Sequence, residues 1–228
     1  MGKIVVPGNP PLDVALKRVA RARRITLRVS RINGRLTVSA PPHVPEREIR
    51  AFVGARRDWM ISALGAVPDA LDVGPGMSIP LEGQHVRIEA APGARASLGD
   101  GVLTVASEAP GPRVAGFLKS RARVRLAPAV NSFAKVLGRR YARLTLRDTV
   151  SRWGSCSATG NLMFSWRLVM APPDVLRYVA AHEVAHLVHM DHSSAFWGVV
   201  AELDPDYARH RQWLRTEGTA LFRFRFGD

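Results

Sequence analysis

Two histidines four residues apart constrain this chain more than any other sequence feature. Residues 182–186 read HEVAH, which matches the pattern H-E-x-x-H. Residues four apart lie on one face of an α-helix, so both imidazoles can reach a single point if the segment is helical. The Pro-Pro-Asp run at residues 172–174 is favourable at a helix start. The sequence therefore predicts a helix from Pro172 to about Val188.

Paired imidazoles at this spacing predict a metal site, with zinc as the expected ion, one per chain. Glu183 lies next to the first histidine and can reach water at the metal without coordinating it, as a general base must. A catalytic zinc needs a third protein ligand and an open position. We choose His192, because it follows His186 by six residues and lies beyond the expected helix end. The remaining alternatives for the third ligand are His189, Asp191, Glu202 and Asp206.

The chain is strongly basic. It has 33 Lys and Arg against 19 Asp and Glu, a formal net charge of +14. Much of the surplus comes from arginine-rich runs at residues 18–24, 121–125, 139–143 and 209–215. Such a surplus raises affinity for polyanions, so DNA is a candidate partner. No aromatic interleaving, zinc-finger spacing or phosphate-binding loop accompanies these runs, so any such binding would be non-specific and sensitive to salt.

The single cysteine, Cys156, cannot form an internal disulfide, which fits a reducing compartment. We find no apolar run of the length of a signal peptide or membrane span, and we expect a cytoplasmic protein without a membrane partner. Cys156 is expected to be a small buried side chain and not a nucleophile. Packing is likewise the expected role of four aromatic residues: Trp153, Trp166, Phe196 and Trp197. The sequence does not indicate an oligomeric state.

The first half of the chain is rich in predicted strands. A hairpin is expected around Asn33-Gly34, followed by one amphipathic helix over residues 44–64. Three further strands are predicted at residues 77–81, 86–90 and 102–105. Proline and glycine then cluster at residues 108–112. We therefore predict two domains, a strand-rich N-terminal domain over residues 1–110 with one helix, and a second domain over residues 111–228.

The second domain is predicted to mix helices and strands. A helix over residues 113–137 should be kinked or split by Pro128. Strands over residues 142–150 and 161–169 flank the loop at residues 151–160. After the helix that carries HEVAH, two short helices are expected beyond residues 194 and 205. The predicted fold class is α+β, without an internal repeat.

Three sequence blocks point to a known family. RWGSCS at residues 152–157, HEVAH at residues 182–186 and HSSAFW at residues 192–197 occur in the order and spacing of the YgjP-like zinc metallopeptidases, relatives of the SprT and Wss1 groups, and the chain resembles that family over nearly its whole length. The resemblance implies a zincin-like catalytic domain behind a strand-rich region. It also implies zinc on His182, His186 and His192, and hydrolysis of peptide bonds in protein or peptide substrates with Glu183 activating water. Ser165 departs from the asparagine expected there, which puts a substrate-side contact in doubt.

Two further roles are hypotheses. Arg152 is our candidate for stabilising the oxyanion, and residues 162–168, by analogy with zincins, would offer a strand edge to an extended peptide. A different function would be a DNA-associated protease, or a basic nucleic-acid-binding protein, acting on DNA-bound proteins. A third would be a non-catalytic module stabilised by zinc, although a structural site has no use for Glu183.

Overall fold

The computed structural model describes residues 2–30, 32–67 and 69–227. The chain forms two compact units, residues 1–70 and residues 71–228. Both combine helices with small sheets, so the predicted α+β class is confirmed. Within the described ranges, no helix is both long and apolar enough to cross a bilayer.

The first unit is a four-stranded sheet with two helices. Its elements are β1 (Gly2–Val6), β2 (Leu12–Arg18), β3 (Thr26–Val29), β4 (Leu36–Ala40), α1 (Glu46–Gly54) and α2 (Arg57–Gly65). The strand order is β1-β2-β4-β3. The two outer pairs are antiparallel, and the central pair β2–β4 is parallel. The hairpin predicted around Asn33-Gly34 is therefore present as β3–β4, but β1 and β2 precede it and were not predicted.

Alternation of apolar residues builds the core of this unit. The buried residues of β1, β2 and β4 are spaced two apart, and their side chains pack with Ile49, Val53 and Met60 of the helices. The single helix predicted over residues 44–64 is wrong in one respect, because the chain breaks at Ala55-Arg56. Just beyond the break, the Arg57 guanidinium donates hydrogen bonds to the carbonyls of Pro7 and Pro10, at 3.1 and 2.9 Å. The second helix is thereby tied to the β1–β2 connection.

The second unit begins with another four-stranded sheet. The strands of this sheet are β6 (Ser78–Leu81), β7 (Gln84–Ala91), β8 (Ser97–Gly99) and β9 (Val102–Ala106). The short strand β5 (Leu71–Asp72) precedes the sheet, and the long helix α3 (Pro110–Val136) follows it. The buried side chains of this sheet and of α3 belong to one hydrophobic core. The predicted division at residue 110 therefore does not coincide with the division between compact units, because residues 71–106 pack with the second unit.

The two four-stranded sheets share one topology, although no internal repeat was predicted. The second sheet has the order β6-β7-β9-β8, with antiparallel outer pairs and a parallel central pair β7–β9. A helix follows the last strand in each case. Leu-Thr-Val occupies residues 36–38 and 103–105, in β4 and β9. Each of the helices that follow buries two apolar residues four apart, Ile49 and Val53 in α1 and Val114 and Leu118 in α3. The fold therefore contains a strand-strand-strand-strand-helix unit twice.

A three-stranded sheet follows α3. Its strands are β10 (Arg143–Arg147), β11 (Gly154–Cys156) and β12 (Asn161–Ser165), in the order β10-β12-β11. Pro128 does not split α3, which is one helix of 27 residues. The strand predicted over residues 161–169 ends at Ser165, and Trp166–Met170 is a 3₁₀ helix. The predicted loop also contains a strand, β11.

Arg167 explains the change from strand to 3₁₀ helix. Its buried guanidinium donates to both carboxylate oxygens of Asp148, at 2.7 and 3.0 Å, and to the carbonyls of Leu221 and Phe224, each at 3.0 Å. A regular strand would not turn this side chain toward the C-terminal segment. The polar network therefore overrides the β-propensity of residues 166–169.

The remaining elements surround the helix that was predicted to carry the chemistry. They are α4 (Pro173–Ala185), α5 (Ser194–Leu203), α6 (Tyr207–Thr216), a 3₁₀ helix (Gly218–Arg223) and β13 (Phe224–Arg225), which pairs with β5. The predictions of α4 and of two shorter helices after it are confirmed, although α4 ends three residues earlier than expected. Because α4 contacts α3, α5, α6 and β11, it lies at the centre of the unit.

Candidate metal centre

The three predicted histidine ligands lie together. His182 is on α4, His186 caps its C-terminus, and His192 lies in the loop before α5. One ring nitrogen of each histidine lies within 4.8 Å of the other two. No other group of three His, Cys, Asp or Glu side chains is arranged in this way among the described residues. Nε2 of His182 and Nε2 of His192 are 3.3 Å apart. α4 and its C-cap supply two of the candidate ligands, and the loop beyond them supplies the third.

The donor set fits a tetrahedral zinc ion. With Zn–N bonds of about 2.0–2.1 Å, two ligand nitrogens of such an ion lie about 3.3–3.4 Å apart, which is the observed separation of His182 and His192. Burial, reinforced by the neighbouring His186 and His192 rings, lowers the pKa of His182 to about 3. Burial also lowers the pKa of His186. Neutral imidazole is the form that binds a metal, so these rings are prepared for it near neutral pH.

The HSSAFW block holds the three rings in place. The fully buried ring of Phe196 stacks on His186 with centroids 4.4 Å apart, and lies 4.9 Å from His182 and 4.8 Å from His192. The hydroxyl of Ser193 accepts a hydrogen bond from the Phe196 amide and caps α5. Because the N-cap Ser193 directly follows His192, the cap of α5 fixes both that histidine and the aromatic residue that packs against all three rings.

The four rival ligands are not part of the histidine cluster. The carbonyl of His189 lies 2.9 Å from Nδ1 of His186 and orients that ring, so the contribution of His189 is made by its backbone. Asp191 accepts a hydrogen bond from the Ser193 amide at 3.1 Å. Within the described residues, Glu202 and Asp206 lie outside any three-ligand group.

Glu183 is packed against a glycine of the RWGSCS block. A Cβ atom on Gly154 would lie 2.5 Å from Oε1 of Glu183 and 2.6 Å from its Cγ, closer than side chains tolerate. Burial raises the pKa of the Glu183 carboxyl to about 8, and the positive charge of Arg152 opposes that rise. The block thus provides a surface on which a buried carboxyl group can lie beside the histidines.

These residues line an open cleft of about 420 Å³. One side is formed by Ser151, Arg152, Gly154, Ser155 and Cys156, and the other by His182, Glu183, His186, Met190 and His192. Arg152 is exposed and lines the same cleft as Glu183. Cys156 is half-buried, and burial together with the Glu183 charge raises its pKa to about 11. A thiol of that pKa is a poor nucleophile at neutral pH.

The strand edge beside the cleft is not the predicted one. Residues 162–168 include most of β12, which lies between β10 and β11 in its sheet. β11 is the edge strand, and all three of its residues line the cleft. Ser165 is fully buried, with no partner for its hydroxyl among the described residues, so it makes no substrate-side contact.

Comparison with known proteins decides the family. The YgjP-like metallopeptidase domain matches residues 23–217 of the chain. The chain belongs to the YgjP-like metallopeptidase family. Comparison with curated proteins finds no match. Among solved structures, the chain is similar to the metallopeptidase zymogen of Pyrococcus abyssi abylysin, with 20% identity and a TM-score of 0.36, over 40% of this chain and 95% of that chain.

Near the candidate site of this YgjP-like chain lies a polar pair that the sequence did not predict. His210 is buried on α6, and its Nδ1 lies 2.8 Å from a carboxylate oxygen of Asp204. Tyr178 lies between this pair and the three histidines, with its ring centroid 6.4 Å from that of His210 and 6.0 Å from that of His182. Tyr178 and His182 are four residues apart on α4, and this spacing could have indicated that the two side chains lie on one face of the helix. No sequence pattern joins either to His210.

Proposed function

We propose that this YgjP-like metallopeptidase is a zinc-dependent peptidase that hydrolyses peptide bonds in protein or peptide substrates. The observation that carries the proposal is a buried carboxyl group, Glu183, lying beside three clustered histidines in an open cleft. A purely structural zinc site is usually closed by four protein ligands. Three donors and an adjacent acid in a cleft favour catalysis instead.

Each residue has a distinct part in the proposed reaction. A zinc ion on the histidines would supply Lewis acidity toward the scissile carbonyl and make water more acidic. Glu183 accepts the proton of the attacking water and delivers it to the leaving amine. Arg152 donates hydrogen bonds to the developing oxyanion. The edge strand β11 pairs with the extended substrate and holds its carbonyl beside these groups.

The electrostatics of Glu183 support this assignment. A carboxyl group with a pKa of about 8 is mostly protonated at neutral pH and is then a poor base. A cation held by the neighbouring histidines would favour the carboxylate and lower this pKa, and so would make Glu183 a better base.

Zinc content separates metal binding from catalysis. We expect about one zinc per chain, by elemental analysis, in wild type and in Glu183→Gln, because Glu183 is not a proposed ligand. The Glu183→Gln variant should lose about 10²–10⁴-fold in kcat on any cleaved peptide, since it lacks the base. His192→Ala should lose the metal. Zinc loss in Glu183→Gln, or a full zinc complement in His192→Ala, would contradict the assignment.

The DNA-associated alternative rests on net charge. A surplus of +14 supports affinity for a polyanion, and binding of this kind falls steeply with salt. Faster peptide cleavage in the presence of DNA, with strong salt dependence, is the result expected of a DNA-associated protease. A rate of peptide cleavage that depends neither on added DNA nor on salt concentration favours a peptidase that does not act on DNA-bound proteins.

A further inference from the structure

A concave, basic surface adjoins the cleft that is lined by the three histidines and Glu183, which we call the metal cleft. It has a volume of about 730 Å³ and lies on the sheet formed by β10, β12 and β11. Leu144 and Leu146 of β10 pack against the core, which leaves Arg143, Thr145 and Arg147 on the opposite face. The register pairs Arg143 with Asn161 and Thr145 with Met163. We call this surface the basic face and define it by Arg143, Thr145, Arg147, Arg152, Asn161 and Met163.

The basic face and the metal cleft are continuous. Ser151, Arg152, Ser155 and Cys156 line both. The residues of a substrate that leave the cleft across these shared side chains enter the basic face. Contacts between the substrate and the basic face would change which substrates are selected, without contacting the groups that react at the cleaved bond.

The charge on this face is unbalanced. Arg143, Arg147 and Arg152 are exposed, and the ion pairs among the described residues include none of them. No Asp or Glu of the described chain lines the surface. The nearby Asp148 is held by Arg167, with an N–O distance of 2.7 Å. Three guanidinium groups thus lie on the surface without a carboxylate partner.

The polar side chains between the arginines already have partners. The hydroxyl of Thr145 donates to the Leu162 carbonyl at 3.3 Å. The amide nitrogen of Asn161 donates to the Thr159 hydroxyl at 2.8 Å. The charged donors of the face are the three guanidinium groups, and the ligand that complements them is an anion.

We propose that the basic face recognises acidic residues flanking the cleaved bond, so that the substrates are acidic peptide segments in extended conformation. This inference rests on the proposed function. Residues four apart in a strand are separated by about 13 Å, so Arg143 and Arg147 match positions four apart in an extended peptide. A guanidinium group binds a carboxylate through two parallel hydrogen bonds. Single-stranded nucleic acid is instead held by aromatic stacking platforms, and the described lining residues include no aromatic.

The test compares substrates that differ in flanking charge alone. Zinc-loaded full-length protein is given quenched fluorescent peptides with one central sequence and flanks rich in Glu, Gln or Lys. We expect kcat/KM to be about five- to tenfold higher for Glu flanks than for Gln flanks, and the preference to weaken at about 0.5 M NaCl. Equal rates for Glu and Gln flanks would overturn the proposal.

Charge reversal locates the effect on the sheet. Arg143→Glu/Arg147→Glu should abolish the preference for Glu flanks and favour Lys flanks, with little change on Gln flanks. Arg95→Glu/Arg113→Glu makes the same change in net charge at two exposed arginines outside the basic face and should keep the preference. An equal effect in both double variants would refute the assignment. If the Arg143→Glu/Arg147→Glu variant does not fold, the Arg143→Ala/Arg147→Ala variant is tested in its place.

A binding measurement remains decisive if no peptide is cleaved. The Glu183→Gln variant should bind a fluorescent Glu-rich peptide, by anisotropy, more tightly than a Gln-rich one, and the Arg143/Arg147 reversal should remove the difference. Such binding supports the basic face even where the proposed catalysis fails. Displacement of the acidic peptide by a dT oligonucleotide of lower Kd, dependent on the same two arginines, would assign the face to nucleic acid and overturn the proposal.

Discussion

At the scale of single residues, a position without a side chain determines where the proposed base lies. Replacing Gly154 by alanine would put a Cβ atom 2.5–2.8 Å from three atoms of Glu183, so the carboxyl group must move. We expect kcat/KM of Gly154→Ala to fall at least tenfold while zinc per chain is kept, because a displacement of about 1 Å is enough to cost this much. Peptide kinetics and elemental analysis on one preparation check both statements.

Gly116→Ala is the matched control for this substitution. Gly116 is on α3, and nothing lies within 4 Å of its added Cβ atom. Alanine there should leave activity unchanged and raise the free energy of unfolding by about 0.5–1 kcal/mol, because glycine is unfavourable inside a helix. Full activity in Gly154→Ala would show that Glu183 does not need its present position.

Individual ligands were more predictable than their surroundings. H-E-x-x-H fixes its own geometry, because residues four apart share a helical face in any helix. The choice of His192 rested partly on the resemblance to a family, since His189 and Asp191 are closer to His186 in sequence. The contact of Gly154 with Glu183 joins residues 29 apart, and the pair His210–Asp204 approaches Tyr178 from another helix. Such contacts depend on packing between elements and leave no local pattern.

At the scale of elements, Glu82 links the β6–β7 turn to α3. Its carboxylate accepts hydrogen bonds from Arg121 and Arg125, at 2.7–3.1 Å, and its side chain is 19% exposed. The hydrogen bonds from Arg125, with those of Arg121, lower the pKa of Glu82 from 4.5 to about 2. Because the folded-state pKa is the lower one, the stabilisation is complete above pH 4.5 and is lost as the pH falls toward 2.

Glu82→Gln should therefore lower stability in a manner that depends on pH. We expect a loss of about 1–2 kcal/mol near neutral pH, since charged hydrogen bonds at a partly exposed site are replaced. The difference in unfolding free energy from wild type should shrink between about pH 4.5 and pH 3. Urea unfolding at each pH measures it, and a constant difference would contradict the role of the carboxylate.

The Asp148–Arg167 pair joins the end of β10 to the C-terminal segment. Asp148→Asn leaves the buried guanidinium with a neutral partner in place of its carboxylate. We expect destabilisation of about 2–4 kcal/mol, because a buried charge loses its counterion. Thermal or urea unfolding provides the measurement, and Asp100→Asn, at an exposed turn, is the control. A change below about 0.5 kcal/mol would show that the pair contributes little.

The elements that the sequence predicted well have strong periodicity over many residues. α3 and α4 show it, and both are present near their expected bounds. Length does not account for every missed strand, because β1 and β2 have five and seven residues. β11 has three residues, and its strand character comes from pairing with β12. The 3₁₀ helix Trp166–Met170 reads as a strand locally and is determined by the distant contacts of Arg167.

At the scale of the whole molecule, the two compact units have separate hydrophobic cores. The core of the second unit includes the four-stranded sheet of residues 78–106 and the helices around the cleft. We expect residues 71–228 alone to fold cooperatively and to bind one zinc, because every residue of the proposed site and its packing lies within that unit. Near-ultraviolet circular dichroism, urea unfolding and zinc analysis of the fragment provide the measurement.

The position of the boundary makes this prediction specific. A fragment of residues 111–228, cut at the boundary that composition suggested, loses the sheet that covers α3. It should be aggregated or lack a cooperative transition. If this shorter fragment is as stable as residues 71–228, the sheet is not required by the second unit.

The repeated sheet topology has a consequence for how the chain acquires its structure. β4 and β9 are both central strands, both contain Leu-Thr-Val, and each pairs in parallel with the second strand of its own sheet. During refolding, β9 can dock on β2, or β4 on β7, with little local penalty, because the side-chain alternation matches. We expect such swapped species to accumulate as a slow refolding phase in the full chain and to be absent in residues 71–228. We expect fewer of them in a nascent chain, since the strands of the first sheet are synthesised before those of the second.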